Sequence, residues 1–216
     1  MAEAHRHFVP AAGADWLLPF YDPLTRLLGT ATSLRRLVEQ AQLSAGQRVL
    51  DLGCGTGAGT LLAKRTQSGI EITGLDPDAK ALARARRKAE RDGLTIEFVQ
   101  GFGDALPFPD ASFDRVLSSF MFHHLEREQK PAVLREIRRA LRPGGSFHLL
   151  DFGGAGHGIG AFLAHLVHRE QSLRANTNDE LTTLMRAAGF ADAAETGQRR
   201  SLLGGLIYYR AVRSDS

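Results

Sequence analysis

The sequence predicts an α/β protein in which a parallel sheet is covered by helices on both faces. Short apolar runs alternate with helical patterns between residues 49 and 151, which is the order that βαβ units produce. A glycine-rich turn follows the first apolar run, where a strand would give way to a helix. Two further strand-like runs after residue 188 predict that the sheet ends in antiparallel strands.

The individual elements are predicted from periodicity and from turn residues. Residues 23–42 carry leucines at helical spacing, and 78–92 are rich in Ala, Arg, Lys and Glu before a stop at Gly93. The other predicted helices are 59–67, 130–141, 161–173 and 179–188. The predicted strands are 49–52, 70–75, 95–100, 113–119, 146–151, a run at Gly189-Phe190, and 202–212.

The composition limits the class of protein. The 216 residues are 43% hydrophobic and 24% charged, which suits one domain with a well-buried core. The net charge is only +3, with arginines scattered through predicted helices, so we expect no nucleic-acid partner. The single cysteine, Cys54, excludes a disulfide framework or a cysteine-based zinc site, and we expect no metal. With no membrane-length apolar run and no signal peptide, we expect a cytoplasmic protein.

The glycine-rich turn predicts a ligand-binding site. Gly53, Gly55 and Gly57 allow a tight turn from strand to helix and let a ligand approach the backbone. The free amides of the following helix favour an anionic group, and Asp51 adds a carboxylate beside them. A ligand that carries both an ammonium and a carboxylate suits this arrangement. The pattern is also compatible with an unrelated glycine loop or, if Ala58 takes the last glycine position, with a dinucleotide site.

Four spaced motifs occur in one order along the chain. They are Asp51-x-Gly53-x-Gly55-x-Gly57, Asp76 after the second apolar run, Leu106-Pro107-Phe108-Pro109-Asp110-x-Ser112-Phe113-Asp114, and Leu141-Arg142-Pro143-Gly144-Gly145. Together they resemble the class I S-adenosylmethionine-dependent methyltransferases, most closely the branch with ubiquinone/menaquinone-type and related small-molecule enzymes. The resemblance covers residues 45–152 well. It implies a Rossmann-like sheet of seven mostly parallel strands with a final antiparallel strand.

The resemblance also implies S-adenosylmethionine as cofactor and S-adenosylhomocysteine as product. In the family pattern the glycine loop, including Cys54, closes on the amino-acid tail and ribose, with Asp51 near the ammonium. Asp76 would accept hydrogen bonds from the ribose hydroxyls, Pro77 would form a wall beside the adenine, and Ser118 would lie against the tail. An Asp-Pro pair is also a good helix start, so Asp76 is compatible with a capping role as well, and of the two we favour ribose binding.

The adenine segment departs from the family pattern. Many relatives have Gly-Asp-Ala before Leu-Pro-Phe, and that acid accepts a hydrogen bond from the adenine amino group. Aligned on Leu106-Pro107, the acidic position is occupied here by Phe102, which Gly103 and Asp104 follow. Either Phe102 packs against the adenine or Asp104 reaches back to it. We favour the first, and expect the adenine to be held less specifically.

Two histidines follow the fourth predicted strand, and the resemblance places the substrate mouth at Phe122 to His124. If the acceptor is a hydroxyl, a base must take its proton, and an imidazole titrates in the required range. We expect His123 to be this base, with His124 as the second candidate. The alternative is structural, with the pair capping the next helix or bonding a backbone carbonyl.

These observations predict methyl transfer from S-adenosylmethionine to a small, lipophilic or aromatic acceptor. Aromatic residues in 1–22, together with Phe120 and Phe122, motivate that acceptor class. We expect residues 1–44 to form a cap and 45–216 the cofactor-binding domain, with a lid-like insertion at about 153–176.

Three alternatives stay open at this point. A phospholipid or amine N-methyltransferase would need no base, an NAD-dependent oxidoreductase would match the relaxed glycine pattern, and a silent protein would bind the cofactor without turnover. The expected partner is a small-molecule acceptor. Peripheral contact with a membrane, and either a monomer or a homodimer, are compatible with the sequence.

Overall fold

The computed structural model describes residues 30–153, 178–201 and 204–214. The helices are α1 (Thr30–Gln40), α2 (Ala58–Thr66), α3 (Ala79–Arg91), α4 (Lys130–Ala140) and α5 (Asn178–Ala187), and a short 3₁₀ turn spans Phe122–His124. The strands are β1 (Arg48–Leu52), β2 (Glu71–Asp76), β3 (Glu97–Gln100), β4 (Phe113–Ser119), β5 (Leu141–Phe152), β6 (Phe190–Ser201) and β7 (Gly204–Arg213). The predicted helix 161–173, nearly all of the lid-like insertion and most of the cap lie outside the described residues.

All seven strands form one sheet in the order β3-β2-β1-β4-β5-β7-β6. Strands β1 to β5 pair in parallel, and β7 runs antiparallel to both β5 and β6. Leu50 and Leu52 of β1 join a core cluster with α4 and α5, whereas Val49 joins one with α1 and α2. The predicted sheet, with its final antiparallel strand and helices on both faces, is confirmed.

Two strands differ from their predicted bounds. β5 begins at Leu141 rather than Ser146, because Leu141 already pairs with Phe113 before a register shift. β6 is a full strand where the sequence indicated only a run at Gly189-Phe190. It lies at the edge of the sheet and only two of its 12 residues are buried, so it lacks the apolar periodicity that marks a buried strand.

The topology brings the predicted site residues to one edge of the sheet. Because parallel strands end at the same edge, the loops after β1, β2, β4 and β5 lie together there. The strand order reverses between β1 and β4, and ligands of open α/β sheets bind at such a switch point. The fold therefore places the candidate site at the carboxyl ends of these four strands.

Candidate active site

The glycine-rich loop is tied to the neighbouring strand by its first two amides. The backbone N–H groups of Gly53 and Cys54 both donate to the carbonyl of Leu75, at 2.8 and 3.0 Å. The Cys54 side chain is buried in a cluster with α2 and α3, and burial raises the pKa of its thiol. The Cys54 thiol is therefore a neutral packing group, and only the backbone of this residue is part of the loop surface.

The three glycines of the loop have different roles, although all adopt positive φ. A Cβ at Gly53 would lie 2.5 Å from the Met121 side chain, and one at Gly57 would lie 2.8 Å from Leu61. Packing of the chain itself therefore requires these two glycines. A Cβ at Gly55 would meet nothing within 4 Å, so open space lies in front of this residue where a ligand can approach.

Asp76 holds the middle of the loop. Its Oδ2 accepts the N–H of Gly55 at 2.8 Å, and its Oδ1 accepts the N–H of Asp78 at 2.9 Å. Burial raises the pKa of Asp76. The cap of α3 is Asp78, whose carboxylate accepts the N–H groups of Lys80 and Ala81. The capping role considered for Asp76 is therefore wrong, and each of its carboxylate oxygens can accept one more hydrogen bond besides these two.

Asp51 is a second buried carboxyl group beside the loop. It accepts the hydroxyl of Thr60 at 2.6 Å, and Gly59 leaves room for it because a Cβ there would lie 3.2 Å from Oδ2. Burial, together with a smaller contribution from the negative charge of Asp76, raises the pKa of Asp51 to about 6. Two neighbouring buried carboxyl groups favour a ligand that brings a positive charge and hydrogen-bond donors.

The adenine segment packs against the end of β2. The N–H of Gly101 donates to the Asp76 carbonyl at 3.2 Å, and the Gln100 side chain donates to the carbonyl of half-buried Pro77 at 3.0 Å. Phe102, Gly103 and Asp104, which complete this segment, are half-buried. The structure thus brings Phe102 and Asp104 to the same edge as Asp76.

Ser118 is fully buried within the sheet. Its hydroxyl donates to the carbonyl of Leu52 at 2.8 Å. This bond joins β4 to the residue that immediately precedes the glycine loop. The structure therefore gives Ser118 a supporting contact beneath the loop.

His123 is held by an acid that the sequence did not single out. Its Nδ1 lies 2.6 Å from Oδ1 of Asp151, and its backbone N–H donates to Oδ2 at 2.8 Å. Asp151 is fully buried at the end of β5 and also accepts the N–H of Phe152. With Nδ1 engaged, Nε2 is the ring nitrogen that His123 has for a ligand. The sequence signal that could have identified Asp151 is an acid at the carboxyl end of a strand in the same parallel sheet.

Aromatic rings surround His123. The His124 ring lies 3.9 Å from the His123 ring, and Phe152 approaches it edge-on at 4.9 Å between centroids. Phe120 lies 5.3 Å from Phe152 and adopts a φ of 55°, a conformation that non-glycine residues adopt mainly where surrounding structure enforces it. Phe122 is fully buried against Phe147, so its expected place at the mouth is wrong.

The described residues include no group of three or more His, Cys, Asp or Glu side chains that could hold a metal ion. Within the same ranges, no helix is long and apolar enough to cross a membrane.

Comparisons with known proteins identify the family. The family described as a methyltransferase domain matches residues 49–145. A demethylmenaquinone methyltransferase of Deinococcus radiodurans is 31% identical over 205 residues, covering 91% of this chain and 84% of the relative. One of Thermus thermophilus is 42% identical over 139 residues, covering 63% of this chain and 62% of the relative. The chain thus spans less than two thirds of some curated relatives.

Solved structures agree on the fold. The YcgJ protein of Bacillus subtilis superposes with a TM-score of 0.71 at 20% identity, covering 86% of this chain and 99% of that one. At this identity the likeness supports the architecture, and the sequence relatives support the family. The chain belongs to the class I S-adenosylmethionine-dependent methyltransferases.

Proposed function

We propose that the protein transfers a methyl group from S-adenosylmethionine to a hydroxyl-bearing, lipophilic or aromatic acceptor, with His123 as general base. The observation that carries this proposal is the 2.6 Å contact between His123 Nδ1 and the buried Asp151, at the same sheet edge as the glycine loop. An oriented imidazole beside a cofactor loop suits an acceptor that must lose a proton.

The described residues fit the cofactor of this family. Asp51 is a buried carboxylate for its ammonium, and Asp76 has unused lone pairs for its ribose hydroxyls. The open space before Gly55 allows close approach to the backbone. When bound, the cofactor supplies an activated methyl group and leaves as S-adenosylhomocysteine.

His123 and Asp151 account for the proton. As the acceptor oxygen forms its bond to the methyl carbon and the carbon–sulfur bond breaks, the hydroxyl proton passes to Nε2 of His123. The buried Asp151 carboxylate holds the ring and stabilises the imidazolium that forms. His124, whose ring is tilted by 42° against that of His123, is the second candidate for this role.

The acceptor class is inferred from the rings beside His123 and from the relatives. Phe120 and Phe152 are both half-buried and offer an apolar wall with one polar group, the usual composition of a small-molecule site. The relatives are named for demethylmenaquinone, a lipophilic quinone. A neutral amine attacks through its lone pair, and its methylated ammonium product can release a proton to water afterwards. A hydroxyl must lose its proton as it reacts, so the His123–Asp151 pair favours a hydroxyl acceptor over an amine.

The test is methyl transfer from radiolabelled S-adenosylmethionine to a panel of reduced quinones, catechols and phosphatidylethanolamine. We expect transfer to a hydroxyl-bearing aromatic compound, and a drop in kcat of about 100-fold or more in His123→Ala. The Kd for S-adenosylhomocysteine, measured by calorimetry, should stay within about twofold because the base does not hold the cofactor.

His124→Ala is the comparison variant and should lose less than about tenfold in kcat if His123 is the base. Full turnover in His123→Ala would remove the base from the proposal. Failure of the unmodified protein to bind S-adenosylhomocysteine would overturn the proposal as a whole.

A further inference from the structure

Two arginines lie against the joint between α1 and β6 without a carboxylate partner among the described residues. The guanidinium of Arg36 lies 4.7 Å over the ring of Tyr208. Arg199 Nη1 donates to the hydroxyl of Ser33 at 3.3 Å, one helical turn before Arg36. Both positive groups are therefore fixed by the fold but not neutralised by it.

The backbone of β6 makes room for this arrangement. An ideal Cβ at Gly197 would lie 2.3 Å from Nη2 of Arg36, so any side chain at this position would push the guanidinium away. Gly197 and Arg199 are two residues apart on the strand, and such residues lie on the same face. The glycine thus leaves room for the Arg36 guanidinium on the face of β6 that also carries Arg199.

The two arginines lie on the acceptor side of the site. Arg199 pairs in register with Leu206, and Leu206 pairs with Phe152. Phe152 in turn packs edge-on against His123. The pair is therefore two strands away from the ring that contacts the candidate base, at the same end of the sheet.

Two guanidinium groups without a carboxylate are suited to an oxyanion. Each presents planar N–H donors that bind phosphate or carboxylate oxygens in pairs. Two like charges on one face of the sheet repel each other in the absence of a counter-charge, and a bound anion offsets that repulsion.

We propose that Arg36 and Arg199 form an oxyanion-binding subsite beside the acceptor mouth, which takes a phosphate group. Only the position of the subsite beside a methyl acceptor rests on the proposed function; the binding of phosphate does not. The phosphate belongs either to a small phosphorylated molecule or to the headgroup of a lipid at a membrane surface. The same two guanidinium groups would bind the phosphate in either case.

The test measures binding without cofactor or acceptor, so its outcome does not depend on methyl transfer. One arm titrates inorganic phosphate and follows arginine side-chain NMR signals. The other measures binding to vesicles of phosphatidylcholine with phosphatidylglycerol, against phosphatidylcholine alone. We expect Arg36→Gln/Arg199→Gln to weaken binding by about tenfold or more, because charge-assisted hydrogen bonds are lost.

Arg35→Gln/Arg87→Gln is the matched control, since both residues are exposed and the change in net charge is the same. If the Arg36/Arg199 variant loses phosphate binding but keeps phosphatidylglycerol binding, the result supports a small phosphorylated ligand. If it loses phosphatidylglycerol binding but keeps phosphate binding, the result supports a lipid headgroup. Equal loss in the control, or no binding in either arm, overturns the subsite. If the glutamine variant unfolds, Arg36→Lys/Arg199→Lys keeps the charge and should still weaken binding, because lysine lacks the paired donors.

Discussion

The cofactor side and the acceptor side of the site are assembled in different ways. On the cofactor side, the contact between Gly55 and Asp76 joins residues 21 positions apart within one βαβ unit. On the acceptor side, His123 contacts Asp151 across 28 positions, and Arg199 contacts Ser33 across 166 positions. A recognisable sequence motif therefore marks the first region, whereas no motif marks the contacts that build the second. The two regions should respond separately to substitution.

Asp151→Asn should separate the two regions most strongly. The amide keeps the shape of the side chain but cannot stabilise an imidazolium as a carboxylate does. We expect kcat to fall by about 100-fold, as for the orienting acid of other histidine bases. The Kd for S-adenosylhomocysteine should stay within about twofold, because Asp151 does not contact the glycine loop. Steady-state kinetics and calorimetry on the same preparation measure both.

Asp192→Asn is a suitable control for this substitution, because Asp192 is exposed on β6 and carries the same chemical change. Its kcat should match that of the unmodified protein. An Asp151→Asn variant with unchanged kcat, or with kcat and cofactor affinity reduced together, would show that the pair with His123 is structural.

The pH dependence of cofactor affinity should sharpen the comparison from the cofactor side. Burial raises the pKa of Asp51 to about 6, so the carboxylate that we propose for the ligand's ammonium predominates above pH 6 and is lost below it. The Kd for S-adenosylhomocysteine should therefore rise about tenfold between pH 7 and pH 5, since the ionised fraction falls by that factor. Binding at pH 6 should release protons, which calorimetry in buffers of different ionisation enthalpy detects.

Asp51→Asn tests whether Asp51 causes this pH dependence of the Kd. The variant should bind S-adenosylhomocysteine more weakly at pH 7 and with a much flatter dependence between pH 5 and 7. Asp76, whose pKa is also raised by burial, leaves a residual slope of the same sign. A Kd that is constant over this range in the unmodified protein would contradict the role of Asp51.

The same difference explains which residues the sequence predicted. The order of strands, the glycine loop and Asp76 follow from short-range patterns, and the structure brings them together. Asp151 was not predicted because no sequence pattern links an acid at the end of one strand to a histidine after the neighbouring strand. The strand β6 was not predicted in full because an edge strand with few buried side chains has no apolar period. The sequence wrongly predicts Phe122 at the mouth, because an aromatic residue beside two histidines gives the same sequence pattern whether its side chain faces a ligand or the core.

The smallest expected effect is that of substituting Phe102, where the cofactor side departs from its family pattern. Phe102→Asp restores a carboxylate at the position that accepts a hydrogen bond from the adenine amino group in relatives. We expect the Kd for S-adenosylhomocysteine to fall about threefold, since one charge-assisted hydrogen bond is gained and some ring packing is lost. The preference for this ligand over its inosine analogue should rise with it, because the analogue lacks the amino group.

Asp104→Asn distinguishes the two interpretations of this segment. If Asp104 reaches back to the adenine, its substitution should weaken binding and abolish the preference over the inosine analogue, while Phe102→Asp changes little. If Phe102 packs against the adenine, Asp104→Asn should change the Kd by less than about twofold. A large loss of affinity in Phe102→Asp would contradict loose adenine binding, because it would mean that the ring already provides more binding energy than the carboxylate restores.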